Sequence, residues 1–275
     1  STNSGADWTL TSAPSNYWES VASSADGSKL AAAASEDADG NLGGIYISTN
    51  SGADWTLTSA PSNDWESIAS SADGSKLVAA VWQDANYNPG GIYVSTDSGA
   101  TWTQTSAPTN YWGSIASSAD GTKLAAVVSY DANYNPGGIY VSTNSGATWI
   151  QTSAPSNYWE SVASSADGTK LAAAAWQDAN YNPGGIYVST DSGATWTQTS
   201  APINSWGSIA SSADGTKLVA AVYSQDADGY DPGGIYVSTD SGATWTQTSA
   251  PAEFWGPIAS SAAGTGGCRR AWPAG

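Results

Sequence analysis

Histidine and methionine are absent from this 275-residue chain, and cysteine occurs once, at Cys268. Without histidine the chain lacks the commonest general base and the commonest transition-metal ligand. A single cysteine closes no intrachain disulfide and builds no thiolate cluster, so stability must come from packing. Basic residues number seven against 24 acidic ones, and the net charge of −17 repels a phosphate backbone and an anionic bilayer alike. Nucleic acid is therefore not an expected partner. No apolar run reaches the roughly 18 residues of a spanning helix, so membrane insertion is not expected either.

What remains is unusual. Phenylalanine occurs once beside 15 Trp and 14 Tyr, so any core must combine large aromatic rings with alanine and other small residues. Five of the seven basic residues, Lys29, Lys76, Lys123, Lys170 and Lys217, recur at one interval. That interval belongs to a repeat. One tryptophan series runs Trp8, Trp55, Trp102, Trp149, Trp196, Trp245 and another Trp18, Trp65, Trp112, Trp159, Trp206, Trp255, each stepping by 47 residues four times and by 49 once. Within the unit that starts at Trp112, four short strand-like segments alternate with turn signals. Residues 112–118 are followed by Asp120-Gly121, a pair that supplies the positive φ angles of a tight hairpin. Residues 123–129, 138–142 and 148–153 are the next three strands. Four strands in a unit of this length, with no helical periodicity, predict an all-β fold, a β-propeller of four-stranded antiparallel blades.

The turn between the third and fourth strands is the most specific feature. Ser95-Thr96-Asp97-Ser98-Gly99-Ala100-Thr101-Trp102 resembles the Asp-box, or BNR repeat, and equivalent octads begin at Ser1, Ser48, Ser142, Ser189 and Ser238. Asn3, Asn50 and Asn144 replace the Asp in three of them, and Asp7 and Asp54 replace the Thr in two. The resemblance implies a sialidase-like propeller in which the octad lies away from the active face. The residue types point to structure: Asp97, Asp191 and Asp240 accept bonds from their own turns. Gly99, Gly193 and Gly242 take the strained angle, while Trp102, Trp196 and Trp245 plug gaps between alanine-rich sheets.

Counted in order, the chain opens with a fourth strand, continues through five complete blades and ends with a first strand. The two terminal strands are expected to form a partial sixth blade, since each alone is an aggregation-prone edge. Ser1 falls inside a repeat with no leader before it, which reads as a processed or truncated product. Residues 1–265 then form one propeller, and residues 266–275, which hold both arginines and the cysteine, form an aberrant tail suggestive of a shifted reading frame.

Strand alternation puts the Asp-Gly turns and the octads on one face of the disc. The opposite face carries loops rich in aromatic and amide side chains: Trp82, Asp84, Asn86 and Tyr87; Asp131, Asn133 and Tyr134; Trp176, Asp178, Asn180 and Tyr181. With Trp112 and Trp206 of the following units they make a candidate ligand-binding set. Rings suit the apolar face of a sugar, and amides and carboxylates suit its hydroxyls. Asp37 and Asp39, with Asp226 and Asp228, alternate as in a calcium loop but form an incomplete ligand set. No other cofactor is expected. Glu19, Glu66 and Glu160 share one repeat position where Gly113, Gly207 and Gly256 stand elsewhere. A ring around the central opening is one reading of them, and a solvated surface role the expected one.

The Asp-box resemblance does not choose a function. Sialidases of that superfamily hold a carboxylate with arginines, which this chain lacks outside its tail, and near-identical repeats offer no unique pair of unlike carboxyls for glycoside hydrolysis. The expectation is a non-enzymatic, lectin-like module, secreted or at the cell surface, binding glycans or a glycosylated surface through several equivalent sites. A structural scaffold is the alternative, and a glycoside hydrolase a more remote one.

Overall fold

A computed structural model describes residues 7–224, 233–264 and 267–270. They contain no helix, and their 22 strands make five four-stranded antiparallel sheets and one of two strands. Blade 1 holds β1 (Tyr17–Ser23), β2 (Leu30–Glu36), β3 (Ile45–Ser48) and β4 (Thr56–Leu57). Blade 2 holds β5 (Asp64–Ser70), β6 (Leu77–Gln83), β7 (Ile92–Ser95) and β8 (Thr103–Gln104). Blade 3 holds β9 (Tyr111–Ser117), β10 (Leu124–Tyr130), β11 (Ile139–Ser142) and β12 (Ile150–Gln151). Blade 4 holds β13 (Asn157–Ser164), β14 (Leu171–Asp178), β15 (Ile186–Ser189) and β16 (Thr197–Gln198). Blade 5 holds β17 (Ser205–Ser211), β18 (Leu218–Ser224), β19 (Ile235–Ser238) and β20 (Thr246–Gln247), and the last sheet pairs β21 (Trp255–Ala259) with β22 (Gly267–Arg270). First strands of consecutive blades pack side by side, so they are innermost and the arrangement is a β-propeller.

The hairpins form where the sequence supplies their chemistry. In blade 3, Asp120 Oδ1 accepts from Ser118 Oγ at 2.6 Å and Thr122 N at 2.9 Å, and Gly121 sits at φ +66°. Second strands lie between neighbouring sheets and are covered on both faces, so they read as apolar runs without alternation; Leu124 to Val128 are all buried. Alanine lets the sheets approach, and Trp65, Trp112, Trp159 and Trp206 fill the remaining space with no exposed surface. Each meets a tyrosine of its own third strand edge-on, at 5.3 to 5.4 Å between centroids. The principal wedge is thus the first-strand tryptophan. Trp102, Trp149, Trp196 and Trp245 are partly buried and pack against these same clusters, so the octad indoles take a secondary share in filling the gaps.

Neighbouring blades are joined by bonds that repeat with the sequence. Ala25 N donates to Ala72 O, Ala72 N to Ala119 O, Ala119 N to Ala166 O and Ala166 N to Ala213 O, each at 2.7 Å. Ser20, Ser67, Ser114, Ser161 and Ser208 each accept, through Oγ, the backbone N–H of the next blade's first strand at 3.1 to 3.3 Å. The lysines bridge the same seams; Lys29, Lys76, Lys123 and Lys170 each approach the octad serine of the next blade at 3.3 to 3.4 Å. Those contacts put the Asp-Gly turns and the octads on one face.

The sixth sector differs in detail from the sequence expectation. β21 pairs with β22 from the tail, and residues 7–12 join no ladder. They nevertheless hold the place of a fourth strand: Ser12 Oγ donates to Ala53 O at 2.7 Å, as Ser59 does to Ala100 and Ser106 to Ala147. β1 does not pack beside β21 as other consecutive first strands do. Val21 is accordingly 67% exposed, where Ile68 and Ile115 at the same position are 5% exposed.

Candidate functional site

The first two strands of every blade share an irregularity that the sequence pattern does not reveal. In blade 2 the ladder runs Asp64 to Gln83, Trp65 to Val81 and Ser67 to Ala80, which leaves Trp82 and Glu66 without partners. Two opposed bulges therefore turn one residue on each strand out of the regular alternation. The same register shifts set apart Glu19 with Ser35, Gly113 with Ser129, Glu160 with Trp176 and Gly207 with Tyr223.

The bulged pairs of blades 1 to 4 line one cavity of about 530 Å³. Glu36, Asp64, Tyr130 and Tyr158, from the adjoining strand ends, complete its wall. All lie where the first strand begins and the second ends, on the face opposite the octads. The bulge brings Glu19, Glu66 and Glu160 to the wall of this cavity, in line with the central-opening reading; Glu66 is half-buried there, while Glu19 and Glu160 keep the exposed surface that the solvated reading expects.

Crowded carboxyls raise one another's affinity for protons, and desolvation by surrounding protein adds to the effect. Burial pushes Glu66 up to about 8, with Glu19, Glu160 and Asp64 adding repulsion. Glu160 stays exposed at the cavity wall, and desolvation by the protein around it raises its carboxyl to about 7. Burial, then Glu19 and Glu36, carries Asp64 to about 6.

Aromatic rings continue from the cavity onto the rim. Trp82 lies 5.2 Å from Tyr111 and 6.0 Å from Tyr130, and Tyr130 lies 5.1 Å from Tyr158. At the loop tips Tyr134 stacks on Tyr111 at 4.9 Å and accepts its hydroxyl bond at 2.6 Å, while Tyr181 lies 5.2 Å from Tyr158. Burial raises the Tyr158 phenol to about 12.

The predicted ligand set divides. Trp82 and Trp176 line the cavity, and Tyr87, Tyr134 and Tyr181 stand exposed at the loop tips beside Asn86, Asn133 and Asn180. Trp112 and Trp206 do not belong: both are sealed between blades with no surface for a ligand. Asp84, Asp131 and Asp178 are also reassigned, because their oxygens hold the loop. Asp84 Oδ1 accepts from Asn86 N at 2.8 Å and Asn88 N at 3.0 Å, and these bonds, that from Asn88 first, hold its carboxyl below the usual range. Asp131 and Asp178 repeat the arrangement.

Asp37 does the same work, accepting from Asp39 N, Asn41 N and Asn41 Nδ2. With its oxygens so engaged, Asp37 and Asp39 form a turn, and among the described residues no group of three or more His, Cys, Asp or Glu is placed to hold a metal. Asp226 and Asp228 lie outside the described residues. The octads match their expected role: Asp97 accepts from Ser95 Oγ, Thr101 N and Thr101 Oγ1, with Ser98 and Gly99 at φ +58° and +89°. Asp191 and Asp240 repeat those bonds.

No family model matches the sequence, and no curated protein matches it. Solved structures do match. The chain is similar to a GH74 xyloglucanase from Xanthomonas campestris at 18% identity and a TM-score of 0.68, over 90% of this chain and 42% of that one. It thus spans less than half the length of that enzyme. A putative TolB from Agrobacterium tumefaciens matches at 16% identity and a TM-score of 0.66, covering 94% of this chain and 91% of its own. YCF48 bound to D1 peptide matches at 12% identity and a TM-score of 0.55, over 92% and 91%. Such likeness shows the propeller fold, which this chain shares with both an enzyme and proteins of other kinds.

Proposed function

We propose that this propeller is a non-catalytic carbohydrate-binding module of the Asp-box type, taking a glycan at the mouth of its central cavity. The observation that carries the reading is the continuous run of rings from Trp82 through Tyr130 and Tyr158 to Tyr181, lying over a wall of carboxyls. Aromatic faces stack on the apolar side of a pyranose, and carboxyl oxygens take its hydroxyls. The loop-tip tyrosines of blades 2 to 4 extend that platform outward, so one chain engages several residues of a repetitive glycan, which favours avidity over single-site affinity. A secreted or cell-surface setting, where such glycans are found, accords with this role. Calorimetry against a broad panel of oligosaccharides tests it: wild type binds at least one class, and Trp82→Ala with Trp176→Ala loses binding while keeping its melting temperature. Silence across the panel would point to the scaffold alternative.

One observation favours a second reading, hydrolysis: Glu66 and Glu160 both titrate near neutrality inside the same aromatic cavity. A glycosidase, however, needs carboxyls in unlike environments, one kept protonated and one ionised. Glu66, Glu160 and Asp64 are all displaced in the same direction and chiefly by the same cause, burial. Binding is therefore preferred, and product analysis after prolonged incubation with a bound oligosaccharide decides between the two.

A further inference from the structure

We infer that the glycan taken by the central cavity carries primary amines, as glucosamine oligomers do. The inference rests on the carbohydrate reading above and specifies the ligand class of that site. Charge is the first argument. Glu19, Glu36, Asp64, Glu66 and Glu160 converge on the cavity, and no lysine lines it. Four of the lysines are turned toward octad serines on the far face. Lys217 Nζ, there too, donates to Ala263 O at 2.7 Å. An anionic sugar would add to the repulsion, and a neutral one would leave it in place. An ammonium group relieves it.

The second argument is that two of these carboxyls lack partners. Among the described residues, no hydrogen bond reaches Glu66 or Glu160, so both present free acceptor oxygens to the cavity. Their placement is not forced by the backbone either. Blades 3 and 5 carry Gly113 and Gly207 at the same bulge, so the fold tolerates the loss of the side chain there. The rings are the third argument. Trp82, Trp176 and Tyr130 border the same space, and aromatic faces attract ammonium groups as well as sugar C–H surfaces.

The test is calorimetry of the full chain with glucosamine oligomers, their N-acetylated counterparts and neutral glucose oligomers of equal length. The amine-bearing ligand is expected to bind at least about tenfold more tightly than the other two. Its binding should also release protons, because a cation beside Glu66 favours the ionised form, and the measured enthalpy will then vary with the ionisation heat of the buffer. Glu66→Gln with Glu160→Gln is expected to remove the preference for amines. If that variant does not fold, the wild-type ligand comparison and the buffer dependence still decide. Equal affinity for all three ligands would overturn the amine inference and leave the carbohydrate reading standing. Binding of none would remove both, and a lysine peptide bound in their place would assign the cavity to a different cationic class.

Discussion

At the scale of single residues, burial and backbone conformation sort side chains that the sequence makes look alike. Both tryptophan series recur with one period, yet only Trp65, Trp112, Trp159 and Trp206 are sealed completely. Trp159→Ala is expected to destabilise the protein by about 3–5 kcal/mol, as large-to-small core truncations do. Trp18→Ala, at a half-buried position in blade 1, should have a markedly smaller effect in the same denaturant titration. The loop-tip tyrosines show the opposite balance. Tyr87, Tyr134 and Tyr181 hold φ angles of +60°, +63° and +64°, a left-handed conformation that disfavours any side chain. Tyr87 is 78% exposed and gains little packing in return. Tyr87→Gly should therefore raise stability by about 1 kcal/mol while weakening glycan binding in calorimetry. A loss of stability would show that the tyrosine serves the loop instead of a ligand.

At the scale of elements, the strands and their turns were legible because each has a chemical signature in the repeat. Asp120-Gly121 marks one hairpin and the octad at Ser142 another, and the apolar run from Leu124 to Val128 marks a strand covered on both sides. The paired bulges were not legible. A bulge shifts the register by one residue without altering composition, and its only trace was the exchange of Glu for Gly at positions 19, 66, 113, 160 and 207. That single irregularity decides which first-strand residue faces the cavity, and within it Glu66 is half-buried while Glu19 and Glu160 stay exposed. Trp82 and Trp176, expected in loops, lie at the ends of β6 and β14, and their neighbours Tyr130 and Tyr158 lie likewise at the end of β10 and the start of β13. The joints between blades make a prediction of their own. Ser67 Oγ accepts the Ile115 N–H at 3.1 Å in a buried setting. Ser67→Ala leaves that donor unpaired and should cost about 1–3 kcal/mol, more than removal of an exposed serine. Equilibrium unfolding of Ser67→Ala beside Ser12→Ala, whose hydroxyl bond is exposed, measures the difference.

At the scale of the whole molecule, two populations of carboxyls impose opposite dependences of stability on pH. Glu66 ionises at 4.5 when unperturbed and at about 8 in the fold, so between those values the native state holds a proton that the unfolded chain releases. Raising the pH through that window favours unfolding, and Glu160 and Asp64 act in the same sense up to about 7 and about 6. The turn aspartates work the other way. Hydrogen bonds, those from Thr101, Thr195 and Thr244 first, hold Asp97, Asp191 and Asp240 at about 2, below their ordinary 3.8. Their contribution is complete above 3.8 and is lost as pH falls toward 2. The melting temperature should then peak at about pH 4 to 5 and fall on both sides. A net charge of −17 also lowers stability at high pH through general repulsion, so the profile alone does not isolate the cavity. Glu66→Gln does. It removes one charge of many but the largest of the cavity shifts, so calorimetric scans should coincide with wild type near pH 4 and lie a few degrees above it at pH 8. Parallel profiles across that range would mean that Glu66 is solvated in the folded protein and that the cavity carboxyls are not held against ionisation at all.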